Sequence, residues 1–245
     1  MVVPAAGVGR RLGAGGAKAL VNLAGRPLLA HAVAAMEANR CVAAVVVAGH
    51  PDALEATAKL LASEGFAKVT AVVGGGPTRQ ASVAAGLRAL PAELGYVAVH
   101  DAARPLVGPG AVDRMLELLL RAGVAGVVPG VPVADTIRRV DAAQRSVGIV
   151  DREQLRAMQT PQLFARRALE EAHRLALRDG VEGTDEAALV ELAGHPVQVV
   201  PGDPENLKVT TPLDLAVAEA ILARRRSEPR PTAPGRPRPT GRAGP

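Results

Sequence analysis

The sequence predicts an α/β fold: a mostly parallel, twisted sheet between helix layers, Rossmann-like in plan, with a β-hairpin projecting from it. Three observations lead there. Short valine-rich runs recur along the chain, none longer than nine residues, as expected of strands buried on both faces. Between them lie helical patterns whose starts are marked by proline. Of the 245 residues 48% are hydrophobic, yet the aromatics are one Tyr and two Phe, so the core must be built from Ala, Val and Leu. Such side chains suit helices laid on a sheet. Strand–helix alternation implies right-handed crossovers, with ligands at the carboxyl ends of the strands.

Taken in order, "VVP" at 2–4 reads as a very short first strand. A helix over 27–39 follows, with Pro27 as its first residue and Leu28, Leu29, Ala32, Val33, Ala35 and Met36 largely on one face. "CVAAVVVAG" (41–49) is the next strand and Pro51 opens the next helix. "KVTAVVGG" (68–75) is a strand leading to a helix from Thr78; "YVAVH" (96–100) leads to a helix opened by Pro109; "AGVVPGV" (125–131) is the fourth valine run. Thr211 is a good N-cap, and Pro212 starts a last helix toward Ala223. Residues 132–156 break the rhythm: "TIRRV" and "SVGIV" alternate in polarity around the turn-like "DAAQR". That pattern is a hairpin. An isolated hairpin is marginal in water, so this one is expected to leave the main sheet and reach a second subunit.

Charge divides the chain at residue 223. Residues 224–245 carry seven of the 29 basic residues and one of the 24 acidic ones, so the net charge of +5 belongs to the tail and the body is nearly neutral. The body, 1–223, is therefore one domain with no nucleic-acid role expected. The Pro/Gly/Arg-rich tail, 224–245, is expected to be a disordered, solubilising extension with no second domain after it. No apolar run approaches ~18 residues, no signal pattern opens the chain, and the single cysteine, Cys41, excludes an internal disulfide or a cysteine zinc cluster. A cytoplasmic location is expected.

The chemistry concentrates in "PAAGVGRRLGAGGAKAL", Pro4–Leu20. A P-loop requires a lysine followed by Ser or Thr, but Lys18 is followed by Ala19. A dinucleotide fingerprint requires glycine where Leu12 stands, and an acidic ribose reader ~20 residues on, where only Glu37 at a helix end is available. A nucleotidyl-transfer loop fits better. Backbone N–H groups wrap a triphosphate while Arg11 and Lys18 close on the phosphoryl group. Two anionic reactants repel unless cations neutralise them, and such transfers ask the protein for positioning and fixed positive charge. A surface loop with solvated cations is the plainer alternative.

Further blocks follow in order: "GGPTRQASVAAGL" (74–87), "VHDAARPLV" (99–107), "PVADTIRRV" (132–140), "DREQLRAMQTPQLF" (151–164), "TDEAALVE" (184–191) and "ENLKVTTPLDLAVAEAIL" (205–222). With "PAAGVGRRL" and Lys18 they resemble the 2-C-methyl-D-erythritol 4-phosphate cytidylyltransferases over residues 2–223. These are enzymes of the non-mevalonate isoprenoid pathway that join CTP to a polyol phosphate, with Mg²⁺ or another divalent cation. The resemblance implies a homodimer. It implies that Arg11, Lys18, Arg152 and Lys208 are catalytic, and that Ala5, Ala6, Gly7, Gly9, Gly76, Arg79, Ser82 and Asp101 bind the nucleotide. Asp101, Arg104, Thr136, Thr160 and Thr184 are implied for the acceptor, with Arg104, Thr136, Arg152 and Thr160 coming from the partner's arm region. The metal is expected mainly on the CTP phosphates, with Asp101 as a candidate ligand. His100 is expected to pack beneath the site, because a phosphate nucleophile needs no base. Other readings are a cytidylyltransferase for another polyol phosphate such as ribitol 5-phosphate, an NAD(P)-binding oxidoreductase, and a silent binding protein.

Overall fold

The computed structural model describes residues 1–13 and 15–227. Strand β1 (Val2–Ala5) leads through two 3-10 turns, Arg10–Leu12 and Lys18–Leu20, to a minimal ribbon of β2 (Asn22–Leu23) and β3 (Arg26–Pro27), then helix α1 (Leu28–Glu37). Next come β4 (Val45–Gly49), α2 (Leu54–Ser63), β5 (Val69–Gly74), α3 (Arg79–Ala89), β6 (Tyr96–Val99), α4 (Ala111–Ala122) and β7 (Gly126–Pro132). A hairpin of β8 (Ile137–Val140) and β9 (Ser146–Val150) follows. The described residues end with β10 (Arg156–Met158), β11 (Gln162–Ala165), α5 (Arg166–Asp179), α6 (Glu186–Leu192), β12 (Val197–Pro201) and α7 (Pro212–Ser227).

The main sheet has eight strands in the order β10-β7-β11-β6-β1-β4-β5, with β12 also paired to β7. The β6-β1-β4-β5 half is parallel. The far end is mixed: β11 runs antiparallel to β6 and β7, and β10 antiparallel to β7. Strand β1 is central, and its brevity is compensated by pairing along its whole length, Val2↔Val46 through Ala5↔Gly49. The chain steps from β1 to β4 and β5 on one side, then returns to β6 on the other. That reversal opens a crevice beyond the carboxyl ends of β1 and β6, where α/β sheets bind ligands.

Alternate residues of the strands feed two separate cores. Val3, Val45, Val47, Ala98 and Val127 pack under Leu29, Val33 and Met115 of α1 and α4. Val2, Val46, Val97, Val99 and Phe164 pack with Val83, Leu87, Leu169 and Ala172 of α3 and α5. Burial on both faces is why these strands read as unbroken valine runs. A third, smaller cluster joins Leu12, Leu23, Leu28, Leu106, Val209 and Ala218. It fastens the glycine loop to α7 and to the loops that follow β6 and β12.

Several expected boundaries move. The strand expected over 41–49 starts at Val45, not Cys41. Pro27 is the N-cap of α1, Pro109 precedes the Gly110 cap of α4, and Pro51 opens a 3-10 turn before α2; Pro212 alone is a first α-helical residue. The hairpin forms its own two-stranded sheet, as expected, but β7 keeps Pro132 and β10 takes Arg156 back into the main sheet. Helix α7 runs past Ala223 to Ser227, so Arg224, Arg225 and Arg226 belong to the fold. The remainder of the expected basic tail lies outside the described residues.

Candidate active site

The crevice is a cleft of about 230 Å³ lined by Ala5, Ala6, Gly7 and Lys18 from the first loop, Gly76, Arg79 and Ser82 from the second, and Asp101 and Lys208. Each side chain has a local reason for its place. After β1 the chain turns through Gly9, at φ 60°, into Arg10–Leu12, and Leu12 N–H closes on Gly9 O at 2.9 Å. Lys18 N–H then donates back to Gly7 O at 2.9 Å, folding the loop onto itself. Leu12 occupies the position where a dinucleotide fingerprint needs glycine. It is 9% exposed and plugs into the third cluster, so the loop is anchored by a side chain.

Gly9 is required twice. Its backbone is left-handed, and a Cβ there would lie 3.0 Å from Lys18 Cβ. Gly9→Ala costs about 1–2 kcal/mol in backbone strain alone and displaces Lys18. We expect turnover to fall about tenfold, read by steady-state kinetics. Unchanged turnover would show that the loop does not fix Lys18.

The second loop leaves β5 at Gly74. Gly75 N–H donates to Gly49 O at 2.8 Å, and a Cβ on Gly75 would meet Ala6 Cβ at 2.5 Å, so the two loops touch. Thr78 caps α3, its Oγ1 accepting from Ala81 N–H at 3.1 Å. Ser82 Oγ donates to Thr78 O at 2.9 Å and accepts from Gly76 N–H at 3.1 Å, which holds the loop in shape.

Asp101, at the end of β6, organises the charges. Arg79 Nε donates to its Oδ1 at 2.9 Å, and Lys208 Nζ pairs with its Oδ2 at 2.7 Å. Arg79 Nη1 reaches on to Glu186 Oε2 of α6 at 2.6 Å. Burial alone would raise the Asp101 carboxyl, but Arg79 and Lys208 outweigh it and hold the group well below the usual carboxylate range. Glu186, 1% exposed, goes the other way: burial raises it despite Arg79. Sequence reasoning missed Glu186, because an acidic residue after the N-cap Asp185 reads as ordinary helix-end chemistry.

Lys18 faces this cluster. Burial, Lys208 and Arg11, in that order, lower its pKa to about 8. Its ammonium is therefore lost to deprotonation unusually early for a lysine. We expect kcat/KM for an anionic substrate of this cleft to fall above about pH 8. The corresponding fall in kcat should come at higher pH, because a bound anion favours the charged form. A pH–rate profile for kcat/KM that stays flat to about pH 9.5 would contradict this.

The other expected residues lie elsewhere. Gly9 shapes the loop without lining the cleft, and Arg11 is exposed on the 3-10 turn. Thr136 and Arg152 are exposed and lie in the hairpin region, and Thr184 is exposed just before α6. Arg104 and Thr160 do not belong to the projecting arm, contrary to expectation. Both are buried in their own chain behind Asp101. Thr160 Oγ1 accepts from Asp101 N–H at 3.0 Å and meets His100 Nδ1 at 3.0 Å. Arg104 donates from Nη1 to Asn206 O at 2.7 Å and from Nη2 to Met158 O at 3.1 Å. His100 does pack beneath the site, fully buried, where burial lowers its pKa to about 4 and keeps it neutral.

Among the described residues no group of three or more His, Cys, Asp or Glu side chains could cage a metal. Both Asp101 oxygens are engaged by Arg79 and Lys208. No helix among the described residues is long and apolar enough to cross a membrane.

Comparison with known proteins points one way. The family model described as 2-C-methyl-D-erythritol 4-phosphate cytidylyltransferase matches residues 1–224. The chain is 49% identical to the Streptomyces coelicolor protein of that name over 233 residues, covering 92% of this chain and 85% of the relative. It is 41% identical to the Synechocystis protein of that name, covering 92% and 97% of the two chains. The crystal structure of the Thermus thermophilus protein of that name superposes with a TM-score of 0.75 at 38% identity, covering 91% and 98% of the chains.

Proposed function

The chain belongs to the 2-C-methyl-D-erythritol 4-phosphate cytidylyltransferase family, and from that premise we propose how its cleft carries the reaction. The enzyme transfers the cytidylyl group of CTP to 2-C-methyl-D-erythritol 4-phosphate in isoprenoid biosynthesis. The products are 4-diphosphocytidyl-2-C-methyl-D-erythritol and pyrophosphate. A phosphate oxygen of the acceptor attacks the α-phosphorus of CTP. A new P–O bond forms, the bond from the α-phosphorus to the β-bridging oxygen breaks, and that oxygen leaves with pyrophosphate.

The observation that carries this reading is the convergence of Lys18, Arg79 and Lys208 on one cleft at the carboxyl ends of β1 and β6. CTP lies across the two glycine loops, its base against Gly76 and Ser82 and its phosphates along Ala5, Ala6 and Gly7. Lys18, and Arg11 from the solvent side, stabilise the charge that builds on the α-phosphate. Lys208 holds the acceptor phosphate, and Asp101 keeps Lys208 and Arg79 aligned. Magnesium enters with CTP, on its phosphates, as the counter-ion of the substrate.

Arg152, Thr136 and Thr184 complete the acceptor site, the first two from the hairpin of a second copy of the chain. Two features support that arrangement: neither residue lines the cleft of its own chain, and the hairpin exposes Val140, Val147 and Ile149. Mixing the inactive variants K18A and R152A should restore activity that neither shows alone, because a mixed dimer holds one intact site. Acceptor choice is tested by following pyrophosphate release from CTP and Mg²⁺ with each polyol phosphate. Turnover is expected with 2-C-methyl-D-erythritol 4-phosphate and not with ribitol 5-phosphate. Comparable turnover with both would sink the assignment of a single acceptor.

A further inference from the structure

The end of α7 is tied to the two segments that carry Lys208 and Asp101. Arg225 Nε and Nη2 both donate to Glu205 Oε2, at 3.0 and 2.8 Å, while its Nη1 donates to Leu106 O at 2.9 Å. Arg224 also pairs with Glu205. Glu205 lies on the stretch between β12 and α7, which has no helix or strand of its own and carries Lys208. Leu106 lies on the loop that follows β6 and begins with Asp101. Arg225 thus spans the two segments whose side chains meet as the Lys208–Asp101 pair.

The two segments are held in different ways. Asp101 is braced independently, by β6 behind it, by Arg79 and by its N–H on Thr160. The Lys208 stretch is held by Val209 N–H on Ala103 O at 2.8 Å, by Arg104 on Asn206 O, by Asn206 Nδ2 on Thr160 O at 2.8 Å and by Gln159 on Asp203, while Glu205, three residues before Lys208, is held at its side chain by Arg224 and Arg225. The charged bridge joins that stretch to the end of the last helix. Loosening it should let Lys208 move while Asp101 and the nucleotide loops stay in place.

We propose that Arg225 is a positioning residue for the acceptor phosphate: by tying Glu205 to Leu106 it sets where Lys208 stands across the cleft. This rests on the assignment of Lys208 to the acceptor given above. Arg225→Ala, Glu205→Gln, Lys208→Ala and the double variant R225A/K208A should be compared with the full-length enzyme, with thermal melts to confirm folding. R225A should raise KM for 2-C-methyl-D-erythritol 4-phosphate about tenfold, the scale of one charged hydrogen bond, with KM for CTP changed less than about twofold. E205Q, which weakens the same bridge from its other end, should show the same split to a smaller degree. The double variant should have the acceptor KM of K208A alone, because Arg225 acts through Lys208. Equal rises in both KM values, or a full additive loss in the double variant, would overturn the role given to Arg225. If K208A raises the acceptor KM and R225A does not, Arg225 is overturned while Lys208 stands. If K208A itself leaves that KM unchanged, the acceptor assignment and the proposal built on it both fail.

Discussion

Lys18→Ala is expected to lower kcat by about 10²–10³ while KM for CTP changes far less. That is the loss typical of removing one electrostatic donor aimed at charge that develops in the transition state. The geometry argues for such a role over simple substrate binding. The Lys18 backbone is pinned to Gly7 O, and its side chain packs over Gly9, leaving its ammonium little freedom to relocate. It also stands among cations: Lys208 and Arg11 both depress its pKa. A folded-state value of about 8, below the ordinary 10.5, means that the charged form is disfavoured by folding. The penalty is full below about pH 8 and fades as pH rises toward 10.5. Removing the ammonium at neutral pH should therefore leave thermal stability equal or slightly higher, even as turnover collapses. Function and stability part company at such sites. Equal losses in kcat and in CTP affinity would assign Lys18 to ground-state binding instead.

Asp101→Asn is expected to cost about 3 kcal/mol of stability and to impair both substrates together. The carboxylate is 7% exposed and neutralises two cations at once. Breaking a buried pair from one side leaves the other charge uncompensated, which is the expensive way to lose it. Arg79 would keep only Glu186, and Lys208 would lose its anchor. The pH dependence has a definite sign. A carboxylate held below its ordinary value of 3.8 contributes stability that is complete above that pH and disappears as pH falls through the lower, folded-state value. Urea unfolding of the wild type and D101N should show a gap that is full at pH 7 and narrows in strong acid. A gap under about 0.5 kcal/mol at pH 7 would mean that Asp101 does not organise the cleft.

Much of this arrangement was legible in the chain. The parallel half of the sheet was readable because its strands are buried on both faces, so their valines form runs. At the other end only β7 was. Strands β10, β11 and β12 carry Arg156, Gln162 and Gln198, and no apolar period marks them. Gln162 is buried within a strand because its amide donates to Asp185 Oδ2 at 2.7 Å, a partner 23 residues away. The apolar stretch from Cys41 to Ala44 misled in the other direction. Val42 and Ala44 are buried, but against the cores beside the sheet and not within it.

At the site, Lys18, Arg79, Asp101 and Lys208 were readable because each sits in a block with its own pattern of glycines or charges. Glu186 and Arg225 were not. Each acts through a partner from a distant part of the chain, Arg79 in one case and Glu205 in the other, and each looks locally like a solvated helix end. Arg104 and Thr160 were found but misplaced. Their burial behind Asp101 depends on the antiparallel return of the chain through β10 and β11, which the sequence pattern hides.

The claim on which these expectations rest is that fixed cations surround the point where two anionic substrates meet. A crystal structure of the enzyme with CTP and Mg²⁺ tests it most directly. The triphosphate should lie along Ala5–Gly7, with Lys18 Nζ at hydrogen-bond distance from an α-phosphate oxygen, Arg11 folded over the phosphates, and Lys208 facing the open side of the α-phosphorus. A bound nucleotide with Lys18 and Arg11 both turned to solvent, away from its phosphates, would contradict it.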